Sequence, residues 1–253
     1  MKSIPHYLLA VVLQLAALPG FSQELFFCQK FYEGGEPADA SAEWFVSPMG
    51  GNVFCGFRPA PGTQVDANQC KLKLYYLDST NTFLPYDLRS VNAQVIGQSA
   101  VHDLQFCKPG MFKLEFISPE GDVLATEQVA ISLETDLEVA DYPAGFRAVY
   151  AAGNQDINNS SMKLPLSTTQ AGFKIGIGAE EQFGFSSVFV QVHRQHNETG
   201  MFSEFIGENK YTLDPSWKST VIPYTLKRPG HYEFRYFNPQ QQLLGVSHLE
   251  VAP

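Results

Sequence analysis

Hydrophobic and polar residues alternate in short runs along most of this chain, and one of those runs occurs twice. Pro109-Gly110-Met111-Phe112-Lys113-Leu114-Glu115-Phe116 sets its larger apolar side chains two apart, and a polar turn, Ser118-Pro119-Glu120-Gly121, follows it. A second apolar stretch then runs from Val123-Leu124-Ala125 into the alternation of Val129 and Ile131. Shifted by 120 residues, Pro229-Gly230-His231-Tyr232-Glu233-Phe234-Arg235-Tyr236 leads through Asn238-Pro239 to Leu243-Leu244-Gly245 and then to Leu249 and Val251. Each block predicts a strand, a tight turn and a second strand, which is a β-hairpin. Upstream, Leu72–Tyr76 parallels Val188–Val192, and Val53–Phe57 parallels Phe173–Ile177. One order of strands shared by two halves of similar length points to internal duplication. Each half holds about seven short strands in about 110 residues, the spacing of a β-sandwich.

The Pro-Gly turn before the penultimate strand of each half resembles the PGxY pattern of bacterial immunoglobulin-like modules. The resemblance covers the last two strands of each half. It implies an all-β chain of two tandem immunoglobulin-like β-sandwich domains, and no particular function. In such modules the ring two residues past the glycine caps one end of the core, as in a tyrosine corner. Tyr232 has a hydroxyl to donate to upstream backbone there, and Phe112 does not. A β-barrel is the alternative closure of the same strands. Between the halves, Leu133–Phe146 carries Glu134, Asp136, Glu138 and Asp141 and loses the alternation. The expected boundary lies near residue 138, with a first domain over 23–138, a second over 139–253, and limited hinge motion between them.

Composition supports β structure: 13% aromatics, 20 Gly and 16 Pro, without long Ala/Leu/Glu/Lys runs. Residues 1–22 read as a signal peptide. Lys2 precedes the apolar run Leu8–Leu18, and Gly20 and Ser22 stand at the −3 and −1 positions for cleavage before Gln23. No apolar run is long enough for a transmembrane segment, so a periplasmic or extracellular, surface location is expected. Cys28 follows Phe26-Phe27, where a lipoprotein signal has small residues, which argues against a lipid anchor. With 17 Lys+Arg against 26 Asp+Glu, the chain lacks the clustered cations that nucleic acid requires.

In an exported chain an even set of cysteines reads as disulfides. Cys28, Cys55, Cys70 and Cys107 all lie in the first half and leave three pairings open. The favoured one is Cys55–Cys70, bracing the Pro/Gly-rich loop between two strands, with Cys28–Cys107. The spacing contains no CxxC pair for zinc or redox chemistry.

Candidate chemistry is sparse. His193-x-x-His196-x-Glu198 falls where the strand Val188–Val192 runs into a polar loop, so His196 and Glu198 are placed to converge with His193 on a metal. Its spacing is not that of a helical zinc motif, and a solvated loop is the plainer reading. His231, Glu233 and Arg235 alternate opposite Tyr232, Phe234 and Tyr236, with His248 on the partner strand. Alternation alone makes that set a solvent-facing polar stripe. Asn154-x-Asp156-x-Asn158 spaces oxygens like a calcium loop, but its sixth and twelfth positions are Asn159 and Pro165, which breaks the EF-hand pattern. The Asn-x-Ser/Thr sequons at Asn158, Asn159 and Asn197 matter only in a eukaryotic secretory pathway. No GxSxG elbow and no GxGxxG or phosphate loop is found. Catalysis and cofactors are therefore not expected. For recognition, Trp217 sits among polar residues after Pro215, and Trp44 opens an apolar run. Exposed rings of this kind stack on sugars or anchor protein interfaces.

The expected function is a non-catalytic binding module of the bacterial cell envelope that contacts another envelope or surface protein. Glycan binding through the exposed aromatics is one alternative. A periplasmic assembly chaperone is the other, although such chaperones are generally basic.

Overall fold

The computed structural model describes residues 23–252 apart from 64, 92–93, 97, 135–143, 153–154, 158–160 and 166–170. The leader, the boundary near residue 138, most of the acidic linker, the Asn154/Asn158 calcium candidate and the Asn158 and Asn159 sequons lie outside the described residues.

Eleven strands form the first half: β1 Glu24–Cys28, β2 Lys30–Phe31, β3 Pro37–Ala38, β4 Glu43–Val46, β5 Gly51–Arg58, β6 Lys71–Leu77, β7 Phe83–Ser90, β8 Gln94–Ile96, β9 Ser99–Phe106, β10 Gly110–Ile117 and β11 Val123–Leu133. The second half contains β12 Arg147–Ala152, β13 Gln155–Ile157, β14 Ser161–Pro165, β15 Ala171–Gly178, β16 Ser187–Arg194, β17 Glu204–Thr212, β18 Ser219–Leu226, β19 Gly230–Phe237 and β20 Leu243–Ala252. The strands of the first half pair into β1-β5-β9-β8 and β4-β11-β10-β6-β7, with β2-β3 as a separate ribbon. Those of the second pair into β13-β12-β15-β18 and β14-β20-β19-β16-β17. The five-stranded sheets correspond strand for strand. In both, the first strand runs parallel to the last, β4 to β11 and β14 to β20.

The predicted hairpins are β10-β11 and β19-β20, and they match in detail. Gly110 and Gly230 open them at φ 136° and 143°, a conformation that favours glycine. The register shifts at Phe116/Ile117 and at Tyr236/Phe237. In the turns, the Ser118 hydroxyl and the Asn238 side-chain Oδ1 each accept two backbone N–H groups. Gly121 and Gln241 take the left-handed position at φ 99° and 62°. Asp78 and Asn81 build the same turn between β6 and β7.

Alternation determines which side chains enter each core. Val53, Cys55 and Phe57 of β5 meet Phe112, Leu114 and Phe116 of β10 within one apolar cluster. Phe57 stacks on Phe116 with ring centroids 4.1 Å apart. The second core centres on Tyr150, Phe173 and Phe234, whose rings meet edge to face. Tyr150 and Tyr236 satisfy their buried hydroxyls on Ser247. The tyrosine corner forms as expected, because Tyr232 Oη donates to the Arg228 carbonyl at 2.7 Å.

The disulfides do not form. All four cysteines are free thiols. Cys55 points into the core, whereas Cys28, on the neighbouring strand, pairs with Phe54 and faces the opposite way. The β2-β3 ribbon covers that outer side, with Phe31 against Phe26 and Phe54. Cys70 immediately precedes β6, with its Sγ toward the Asp66 carbonyl. Cys107 lies against the second half, where its carbonyl accepts from Arg235. Burial pushes the Cys28 and Cys107 thiols up to about 11, and Cys55 higher still.

Candidate functional site

The two halves meet through polar contacts. Between β16 and β17, residues 195–203 take the place of the compact turn that joins β6 to β7, and this longer loop reaches back to β7. Thr199 Oγ1 donates to the Tyr86 carbonyl at 2.9 Å, and Arg89 Nη2 donates to the Ser203 carbonyl at 3.3 Å. Across the outer face of the second five-stranded sheet, Gln191 Nε2 donates to the Met49 carbonyl at 2.6 Å and Arg235 Nη1 to that of Cys107 at 2.9 Å. Three of these four acceptors are backbone carbonyls of the first half, and the fourth is that of Ser203 in the loop, which receives Arg89 from β7.

This contact changes the reading of the polar stripe. His231, Glu233 and Arg235 do share the outer face, as alternation requires. Only His231 is exposed, and Glu233 and Arg235 keep 14% and 19% of their side-chain surface. Arg235 bridges Glu233 at 2.7 Å, and His248 Nε2 lies 3.2 Å from the other carboxylate oxygen of Glu233. His193, paired with Glu233 across the strands, is 2% exposed. Its Nε2 has no hydrogen-bond partner among the described residues, and its ring meets Phe205 edge-on. Burial, and secondarily the Arg235 charge, lower its pKa from 6.5 to about 3. His193 is therefore a neutral imidazole at ordinary pH.

His196 and Glu198 do not join it. His196 Nε2 lies 4.0 Å from Asp87 of β7, while its Nδ1 accepts from the Glu198 backbone N–H. The Glu198 side chain is exposed. Among the described residues no three His, Cys, Asp or Glu side chains are grouped to hold a metal. The candidate triad is split between a buried sheet position and an exposed loop.

A cleft of about 700 Å³ opens at the junction. Asp87 and Arg89 of β7 form its floor on one side, as an ion pair with the carboxylate 2% exposed. Opposite them, Glu204 is shared by Arg194 at 2.6 Å and Arg228 at 3.3 Å. Gln105, Asn197 and Phe205 also line the cleft. The sequence singled out none of these except through the neighbouring His196 and Glu198. The available signal was the greater length of the polar segment after Arg194 compared with the Asp78–Thr82 turn.

The two tryptophans differ. Trp44 packs against the first core and donates its Nε1 to the Ser41 carbonyl at 3.0 Å. Trp217, in a turn capped by Asp214, keeps 46% of its surface exposed. The larger exposed ring beside Trp44 is Phe45, at 67%. It lies on β4, next to a groove of about 390 Å³ that includes Glu43, Met111 and Gln128.

No family model matches this chain, and no curated protein matches it. Solved structures similar to it include a β-glucosidase from Listeria innocua. There the match has 12% identity and a TM-score of 0.26, and covers 43% of this chain and 16% of that one. Fibronectin(III)-like modules of Clostridium thermocellum CbhA match over 90% of this chain and 93% of theirs, at 10% identity and a TM-score of 0.23. An immunoglobulin-like protein from Pseudomonas aeruginosa matches over 42% of this chain and 92% of its own, at 12% identity and 0.26. The class rests on strand order within the chain itself. In the first half β1-β5-β9-β8 is an A-B-E-D sheet, and it faces a G-F-C sheet extended by β4 and β7. The protein is all-β, with two immunoglobulin-like sandwiches in tandem. No helix among the described residues is long and apolar enough to cross a membrane.

Proposed function

We propose that this chain is a non-catalytic binding module acting through protein–protein contacts. In this reading residues 1–22 direct its export to the bacterial envelope, and residues 23–138 and 139–253 are copies of one duplicated unit. The strand-for-strand correspondence of the five-stranded sheets supports the duplication.

The observation that carries the binding role is the β4 edge. β4 pairs only with β11 among the described residues, which leaves its other side open. Open edges offer backbone N–H and C=O groups to an added strand, and folded proteins guard them with proline or charge. β7 has Pro85 and β18 has Pro223, while β17 has Glu204, Glu208 and Lys210. β4 has no proline and a single charge, Glu43, beside an exposed Phe45. Such an edge fits a partner strand that adds its backbone hydrogen bonds and receives Phe45 in a pocket. The Trp217 exposure favours a second reading, glycan stacking, which a Trp217→Ala variant tests by loss of sugar affinity with the fold retained.

Protein tagged at the C-terminus, extracted gently from the native envelope and sized, tests the main reading. The expected result is co-migration with one envelope protein in stoichiometric amount, lost in Phe45→Glu. Migration as a single chain, or a complex indifferent to Phe45→Glu, would contradict it.

A further inference from the structure

We propose that the junction cleft binds a neutral, hydroxyl-rich ligand of the short oligosaccharide class. The cleft is separate from the β4 edge, uses neither tryptophan, and is built by both sandwiches.

Charge selects the ligand class. Arg89 is paired with Asp87, and Arg194 and Arg228 share Glu204, so every guanidinium already faces a carboxylate. An anion entering the cleft meets Asp87, Glu204 and Glu198, and a cation meets the three arginines. An apolar molecule strips water from planar polar groups without replacing their hydrogen bonds, which is costly. A sugar hydroxyl both donates and accepts, so it can donate to a carboxylate oxygen and accept from a guanidinium or amide N–H in the same site. The ion pairs also hold their own side chains in place, which lowers the ordering cost of binding.

The remaining features agree. Gln105, from the first sandwich, and Asn197, from the second, add amides to the lining of the cleft. Phe205 supplies one aromatic ring, fixed edge-on against His193 at 5.5 Å, as an apolar face for sugar C–H groups. The volume of about 700 Å³ lies within the range of small-molecule sites, which favour domain junctions.

The test is calorimetric titration of the mature chain with tetrasaccharides of glucose, mannose and N-acetylglucosamine, alongside trigalacturonate and inorganic phosphate as anionic probes. The expected result is saturable binding of a neutral sugar. Gln105→Ala and Asn197→Ala should each weaken it about tenfold or more, the loss of one well-made polar contact, while Trp217→Ala leaves it unchanged. Both variants alter cleft side chains outside the cores, and melting curves verify their folds. Dependence on both halves distinguishes the cleft from a site on either sandwich alone. The proposal is overturned if no neutral sugar saturates up to about 10 mM, where a ligand held by less than about 3 kcal/mol would escape detection. It is equally overturned if the anions bind instead, or if binding survives both amide variants.

Discussion

Acid should destabilise the second sandwich through His193, by an amount the structure sets. Its folded pKa is depressed to about 3 against 6.5 for the free side chain. Between those values the unfolded chain binds a proton that the folded chain refuses, so stability is complete above pH 6.5 and falls as the pH drops toward 3. Each unit is worth about 1.4 kcal/mol, so the step from pH 7.5 to pH 5 removes about 2 kcal/mol and the limit near pH 3 is about 5 kcal/mol. The charged groups on the neighbouring strand are Arg235, whose positive charge adds to the depression, and Glu233, the cross-strand partner of His193 on β19. Chemical denaturation of wild type and His193→Gln at pH 7.5, 6 and 5 isolates the effect, because the other histidines and carboxylates are common to both proteins. The wild type should lose about 2 kcal/mol more than the variant over that span. Parallel losses in the two proteins would refute the buried neutral histidine.

Other outcomes follow from particular contacts. Tyr232→Phe removes the bond to the Arg228 carbonyl while keeping the buried ring, and should cost about 1 kcal/mol in calorimetric unfolding; an unchanged melting profile would contradict the corner. Gly110→Ala should be the more damaging of the two hairpin substitutions. Both glycines hold positive φ, a strain of about 1–3 kcal/mol for other residues. A Cβ at Gly110, however, meets the Tyr76 ring at 2.5 Å, whereas one at Gly230 meets the flexible Arg194 side chain at 3.2 Å; a larger loss for Gly230→Ala would contradict the packing. Thiol titration in denaturant should count all four cysteines without reductant, and slow reaction of the native protein should reflect their burial. A count of two or none would restore the disulfides.

Local pattern and long-range arrangement were not equally legible in the sequence. The β10-β11 and β19-β20 hairpins, their glycine-opened strands and the Tyr232 corner could be read because alternation and turn chemistry act over a few residues. Alternation also assigned His231, Glu233 and Arg235 to the outer sheet face correctly. It could not say what lies on that face. The covering half is brought there by residues 195–203 and by backbone carbonyls at Met49, Tyr86 and Cys107, and no side-chain pattern encodes a backbone acceptor. His193 and His196 are three apart in sequence, yet one follows the strand into a buried row while the other turns with the loop toward Asp87. The cysteines misled for a related reason. An even count behind a leader-like start suggested Cys55–Cys70 and Cys28–Cys107, whereas Cys55 points into the core while Cys70 turns its Sγ to the Asp66 carbonyl, and Cys28 faces the outer side of its sheet while Cys107 lies against the second half. The parallel pairing of β4 with β11 joins residues 87 apart in sequence, from Glu43 with Ala130 to Val46 with Leu133, and it creates the open edge on which the binding role rests.

That edge is also the most direct place to test the account. A photoreactive amino acid at position 45, activated in intact cells, should crosslink the chain to one envelope protein. The same group at position 221, on the Pro223-guarded edge strand β18 and 60% exposed, should capture none. A crosslink from 221 equal to that from 45, or none from 45, would contradict a binding role for the β4 edge.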